Sequence, residues 1–380
     1  MGRFGKKISI SLNPLDYNLS ILGESGIGKT TLAKEVCEKL VGDEGYIHFD
    51  IGRERGADAI EGIVSEKIED WTKLNEVIED IIENKESDYP NLKVIIWDTF
   101  DELILLAEAE SIRQYNKKQT SIPNGRKVDT IDAAWAGFGR GQAFAIELIL
   151  NVFDKFNSVG ISNFIVAHVK RTDIVDAVTQ ETYSKLTADT TQRYFNAIKN
   201  KQHFVALAYI DRDIVKEKTG RKNVMTKEDI TVSKAVKESR VISFRDDTYS
   251  VDSKSRFANI VDKIPFDTDE FIKAITDAIE TEKTKNGKSM ADAQKEQKAK
   301  EKDKATKAKA FSESVKKAKA LDELETNRQD YLDIISSNFA NADANIKAKA
   351  KEMLANSGVK KFTDESLDIE TLKAISELFI

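Results

Sequence analysis

From Asn18 to about Phe266 the chain alternates short apolar runs with stretches of helical period. The runs are NLSIL, YIHFDI, LKVIIWD, NFIVAHV, HFVALAYI and RVISF. Several are continuously hydrophobic, as a strand covered on both faces requires. Between them, EDWTKLNEVIEDII and GQAFAIELILNVFDKF place apolar residues every three or four positions, the period of a helix with one buried face. Strands alternating with helices predict an α/β fold, a mainly parallel sheet covered by helices on both faces. The pattern changes after Glu280. Residues 283–320 are dominated by Lys and Ala with almost no large apolar side chains, so a solvated helix or a disordered basic linker is expected there. From Leu321 apolar residues return at helical spacing in LDELETNRQDYLDIISSNF, IKAKAKEMLANSGVKKF and DIETLKAISELFI. The expected organisation is a core over residues 1–281, a linker or solvated helix over 282–320, and a small helical C-terminal module over 321–380.

Composition narrows this picture in three ways. The chain has 380 residues, of which 40% are hydrophobic, enough to fill a core, and 33% are charged, above the usual quarter. Its net charge of -6 means it is no polycation, so any nucleic-acid contact must come from local basic patches. The one cysteine, Cys37, excludes an internal disulfide framework and fits a reducing cytosol. No segment approaches 18 consecutive apolar residues and MGRFGKKISISLNPLDY lacks a signal-peptide run, so a soluble, cytoplasmic protein without a membrane partner is expected.

The strongest chemical signal opens at Gly23. Gly23, Glu24, Ser25, Gly26, Ile27, Gly28, Lys29 and Thr30 match G-x-x-x-x-G-K-[ST] at every fixed position, with NLSIL before them and TLAKEVCEKL after. A strand, a glycine-rich loop and a helix in that order cradle the phosphates of a nucleotide such as ATP. Backbone N–H groups point at the β-phosphate and the helix start adds its positive end, through Thr31. Lys29 is expected to bridge the β- and γ-phosphates and Thr30 to ligate Mg²⁺. The run LKVIIWDTFDEL ends its strand at Asp98, which is expected to hold the magnesium through water with Thr99 nearby. Lys29 and Asp98 are expected to converge from adjacent strands. Asp101 and Glu102 follow as first-turn helix carboxylates. For the general base, Asp50, Glu54 and Glu102 are the alternatives. In SNFIVAHVKRTD, His168 falls at a strand end beside Asp98 and is expected to sense the γ-phosphate. His48 and His203 have no metal-ligand spacing and read as structural.

The phosphate loop, the strand ending in Asp98-Thr99, and FIVAHVK together resemble the RecA-like P-loop ATPases. The chain is most similar to a phage-encoded branch of AAA-type nucleotide-binding proteins that includes recombinases and single-strand annealing proteins. DAAWAGFGRG at 132–141 and RVISFRDD with YSVDSKSRF near 240–257 carry the resemblance, which spans roughly residues 15–280. It implies Glu54 as the water-activating glutamate. It also implies two DNA-contacting loops, one over 119–141 with Arg126, Lys127 and Arg140, the other over 170–201 with Lys170, Arg171 and Arg193. Trp135, Phe138, Tyr183 and Tyr194 lie among these cations, and aromatics so placed can stack on bases. Hydrolysis at a subunit interface is implied too, in a homo-oligomer, with Arg240 or Arg245 donated by the neighbour.

The expected function is therefore ATP hydrolysis coupled to DNA recombination. Such a protein binds single-stranded DNA and promotes annealing or strand exchange, with a single-strand binding protein as a further partner. The alternative, from another class, is a nucleotide-gated loader or regulator that remodels a protein partner in phage DNA replication. A small-molecule kinase fits less well, because there is no Arg-rich lid. A hexameric helicase usually brings a further N-terminal domain, whereas this core begins near Met1. The Lys-rich stretch is interleaved with acids and holds one aromatic, Phe311, so a tether is the expected role.

Overall fold

The structure, a computed structural model, describes residues 10–53, 56–175, 179–222, 229–245, 253–285, 290–364 and 366–379. In chain order its strands are β1 (Leu19–Gly23), β2 (Tyr46–Ile51), β3 (Ser65–Ile68), β4 (Val94–Asp98), β5 (Ser162–Val175), β6 (Thr182–Ala188), β7 (Phe204–Lys222), β8 (Asp229–Ser243), β9 (Lys254–Ser255) and β10 (Lys263–Pro265). Six of them run parallel in the order β7-β1-β5-β4-β2-β3. The helices are α1 (Lys29–Val41), α2 (Trp71–Glu83), α3 (Phe100–Thr120), α4 (Arg140–Ser158), α5 (Gln192–Lys199), α6 (Thr268–Thr284), α7 (Met290–Phe339), α8 (Ala344–Asn356) and α9 (Ile369–Ser376). This is the α/β architecture that the alternating apolar runs predict.

Strand alternation distributes the core between two faces. Ile21, Ile96, Phe164, Val166 and Phe204 pack with α1 and α6, through Val36, Phe271 and Ile275. Trp97 points the other way, into a ring cluster with Phe49, Phe153 and Phe156 at centroid distances of 5.0–5.8 Å. Cys37 is fully buried, and that burial pushes its thiol well above the ordinary range.

Two features depart from the sequence reading. The stretch 170–201, expected as a loop, is a hairpin followed by a helix. Residues Val169–Val175 of β5 pair only with β6, forming an arm beyond the last pairing with β1 at Gly23–His168. Likewise β7 and β8 continue as one long antiparallel hairpin, with register shifts at Asp213/Ile214 and between Lys218 and Lys222. The outer part of the first arm, from Arg171 to Val175, alternates exposed and half-buried positions, so no continuous apolar run marks it.

His203 sits where β7 begins. Its Nδ1 accepts a hydrogen bond from the Asn18 N–H at 3.2 Å, and the Tyr17 ring meets it edge-on at 5.1 Å. Burial, then the charges of Arg256 and Lys254, push its pKa from 6.5 down to about 4. The unfolded chain thus takes up the proton first, so His203 contributes stability above its ordinary pKa that is lost as the pH falls through about 4. Melting temperatures recorded from pH 7 to 4 are expected to fall with acid, and His203→Asn to flatten part of that slope.

The chain divides into two compact units, Met1–Lys309 and Ala310–Ile380. Within the first, the start of α7 is tied to the core rather than solvated throughout. Gln297 accepts from Ser11 Oγ and the Leu12 N–H at 3.0 and 2.9 Å, Lys304 pairs with Asp16 at 2.7 Å, and Ala293 and Ala308 are buried. This face is built from alanines, an amide and lysine stems, which explains why it shows no hydrophobic period. The second unit has its own small core, with Ile335, Leu354, Leu367, Leu372 and Ile375 buried together. Arg328 donates to the carbonyls of Leu367 and Asp364, and Asp368 caps α9 by accepting from the Thr371 N–H. Among the described residues no helix is long and apolar enough to cross a membrane.

Candidate functional site

The loop from Glu24 to Gly28 joins β1 to α1 at the carboxyl end of the parallel sheet. Gly26 and Gly28 have φ of 76° and 108°, left-handed values that a side chain disfavours. At Gly28 a Cβ would also meet the Phe266 ring at 3.3 Å. Gly28 is the N-cap of α1 and no side chain caps that helix, so its first N–H groups are directed at whatever occupies the loop. Lys29 is 5% exposed, and its ammonium donates to the carbonyls of Gly23 and Glu24 at 3.0 Å each. Glu24 is half-buried, while Ser25 and Thr31 are exposed at the loop's rim.

Asp98 comes to this loop from β4, but not from the adjacent strand. β5 lies between β1 and β4, so the expected adjacency is corrected, and Val166–His168 of β5 are interposed between loop and carboxylate. Even so the two meet: Thr30 Oγ1 donates to Asp98 Oδ2 at 2.6 Å. His48 Nε2 lies 3.1 Å from the same oxygen, and its Nδ1 is 3.0 Å from Ser65 Oγ. Burial alone would raise the Asp98 pKa. Hydrogen bonds from His48 and Thr30, with the charges of His48 and Lys29, outweigh it and hold the carboxyl below its ordinary value. Nearby, Thr99 Oγ1 and Asp101 Oδ1 are buried without a hydrogen-bond partner among the described residues. Two hard oxygens in contact, with two orphaned polar atoms on the residues that follow Asp98, suit a magnesium ion that keeps part of its water shell. Thr30 and Asp98 are the residues that could hold it.

His168 stands where the parallel pairing of β5 with β1 ends, in register with Gly23. Its backbone N–H donates to Asp101 Oδ2 at 2.9 Å and its Nδ1 lies 3.0 Å from the same oxygen. Asp101 therefore orients the imidazole as well as starting α3. Glu54, expected as the base, lies outside the described residues. Of the alternatives, Asp50 is buried and paired with Lys67 at 2.8 Å. Glu102 packs its carboxylate against Gly52, where a Cβ would collide with it.

The basic residues expected at DNA fall into separate groups. Arg126 and Lys127 are exposed on the loop before α4. Arg140 begins α4, and the guanidinium of Arg193 lies against Gly139, the residue after Phe138. Lys170 pairs with Asp189 at 3.3 Å, and Arg171 reaches Glu24 of the phosphate loop at 3.9 Å. Two of the interleaved aromatics pack instead. Trp135 stacks on Phe144 at 4.4 Å, and Tyr194 is buried with its hydroxyl donating to Glu108 at 2.6 Å. Of the arginines expected to serve a neighbour, Arg240 donates to the Ile27 carbonyl of its own phosphate loop at 3.5 Å. Arg245 donates to the carbonyls of Ala258 and Phe257, both of which it would have to release to reach another subunit.

The residues that sequence reasoning missed are His48 and Ser65. The available signal was alternation in YIHFDI, which sets His48 on the same face as Asp50; nothing local tied that face to Asp98. A family model described as an AAA domain matches residues 16–257. No curated protein matches the chain.

Proposed function

Because the chain belongs to the AAA domain family, whose membership indicates nucleotide-binding ATPase activity, we propose a RecA-like, magnesium-dependent ATPase whose turnover is coupled to single-stranded DNA. Lys29 and the α1 N-terminus bind the ATP phosphates, Thr30 and Asp98 hold the metal, and His168, oriented by Asp101, reports the γ-phosphate. Magnesium, when bound, supplies positive charge to the phosphate oxygens. Assembly as a homo-oligomer belongs to the same reading.

One observation supports the coupling above the rest. A cleft of about 270 Å³ lies between the two hairpin arms, lined by Arg171 and Lys185 from one and Tyr209 and Arg212 from the other, with Glu24 of the phosphate loop among its walls. A basic cleft sharing a residue with the phosphate loop gives bound DNA a direct route to the nucleotide. Phe138 adds an exposed stacking surface. From Trp135 to Gly139 every φ lies between 54° and 74°, and each non-glycine held there costs about 1–3 kcal/mol. Trp135 anchors that run by donating to Ser111 Oγ at 3.1 Å, and Phe138 is left 98% exposed.

The test is ATP turnover with and without a single-stranded oligonucleotide, for wild type and Lys29→Ala. Stimulation by DNA that the mutant lacks is expected. Phe138→Ala should weaken oligonucleotide binding by about tenfold, the scale of one lost stack, and leave DNA-free turnover unchanged. Affinity should also fall steeply with salt. Unstimulated turnover and no DNA retention would favour the remodelling of a protein partner instead.

A further inference from the structure

We propose that His48 is a positioning residue for the metal-holding carboxylate, and that Ser65 positions His48 in turn. The inference rests on the magnesium–nucleotide reading of the site and extends it by two residues and one strand. Three neighbouring strands contribute one member each: Ser65 on edge strand β3, His48 on β2 and Asp98 on β4. The separations are 3.0 Å from Ser65 Oγ to His48 Nδ1 and 3.1 Å from His48 Nε2 to Asp98 Oδ2, and Thr30 Oγ1 completes the row at 2.6 Å.

Packing alone does not call for an imidazole here. His48 is fully buried in β2, beside Ile47 and Phe49 in the chain, where an aliphatic side chain would fill the space without polar atoms to satisfy. Both ring nitrogens are used. Asp98 is a carboxylate and can only accept, so Nε2 carries the proton towards it. Nδ1 faces the Ser65 hydroxyl, which can donate to it or accept from it. With His48 in place the Asp98 oxygen facing Thr30 is held from two directions. Without it the carboxylate keeps Thr30 alone and can turn about its side-chain bonds. Partners of this kind, one step removed from a metal, typically change metal affinity by about 10–100-fold when lost.

The experiment is a titration of the full chain with a fluorescent ATP analogue, once with magnesium and once with EDTA, alongside thermal melts. For wild type, magnesium should tighten binding. His48→Leu should lose about tenfold of that magnesium-dependent gain with the EDTA affinity unchanged. His48→Gln, whose amide N–H can stand where Nε2 stands, should restore most of it. Ser65→Ala, at an exposed position of β3, should show a smaller loss in the same direction. A merely structural histidine would lower the melting temperature and leave the magnesium-dependent gain intact. The relay is overturned if folded His48→Gln and Ser65→Ala both match wild type while a folded His48→Leu does too, or if His48→Leu weakens binding equally in EDTA. Should His48→Leu not fold, an unchanged magnesium gain in Ser65→Ala is itself decisive against the relay. Absence of any magnesium-dependent binding by wild type strikes the nucleotide reading first and this one with it.

Discussion

Lys29→Ala is expected to lower ATP turnover by roughly a hundred- to a thousandfold, the cost of removing one preorganised charge aimed at a transferring group. The side chain is 5% exposed and its ammonium is held by two carbonyls of the loop it belongs to. No other cation of the described loop, residues 24–30, can take its place, since Lys29 is the one Lys or Arg there. Its removal should not unfold the protein: residue 29 is the first position of α1, and alanine is the best helix former. The expected signature is therefore lost turnover and weakened nucleotide binding with an unchanged melting temperature. Lys29→Arg should recover little, because a planar guanidinium does not reproduce a compact ammonium. Turnover within tenfold of wild type in Lys29→Ala would remove the loop from the mechanism.

The largest effect on stability is expected at Trp97. Its side chain is fully buried at the centre of the ring cluster with Phe49, Phe153 and Phe156, and its Nε1 donates to Asn163 Oδ1 at 2.9 Å. Trp97→Ala opens a cavity and leaves the buried Asn163 Oδ1 without its donor, so a loss of about 3–5 kcal/mol is expected. Chemical denaturation measures it. Trp97→Phe keeps most of the volume and forfeits the hydrogen bond, so its loss should be clearly smaller. Because Trp97 directly precedes Asp98, the alanine variant should also weaken magnesium-dependent nucleotide binding under conditions where it remains folded. Equal stability of the alanine and phenylalanine variants would contradict the packing described for this face.

How far the site could be read in advance depends on how local each part is. The phosphate loop is built from consecutive residues, Gly23 to Thr30, in a strand–loop–helix frame that neighbouring residues dictate. Asp98 was legible for the same reason: a buried strand announces itself as an apolar run, and its carboxyl end follows from chain direction. His48 was not legible. It touches Asp98 fifty positions away in sequence and Ser65 seventeen away, and β3, read as SEKI, is too short and too charged to stand out. The α7 contacts escaped for a different reason, since Ala293, Gln297 and Lys304 cover the core without large apolar groups.

What the sequence by itself determined is the set of local structures: which segments are buried strands, which helices have an apolar face, and where a phosphate loop must form. The tertiary structure alone decided that β5 separates β1 from β4, that two hairpin arms enclose a basic cleft beside Glu24, and that His48 and Ser65 stand behind Asp98. The physical reason is that hydrophobic period reports whether a residue faces the core, a property of the nearest few positions. Which residues then meet across the sheet depends on strand order, and strand order is settled by the packing of the whole chain.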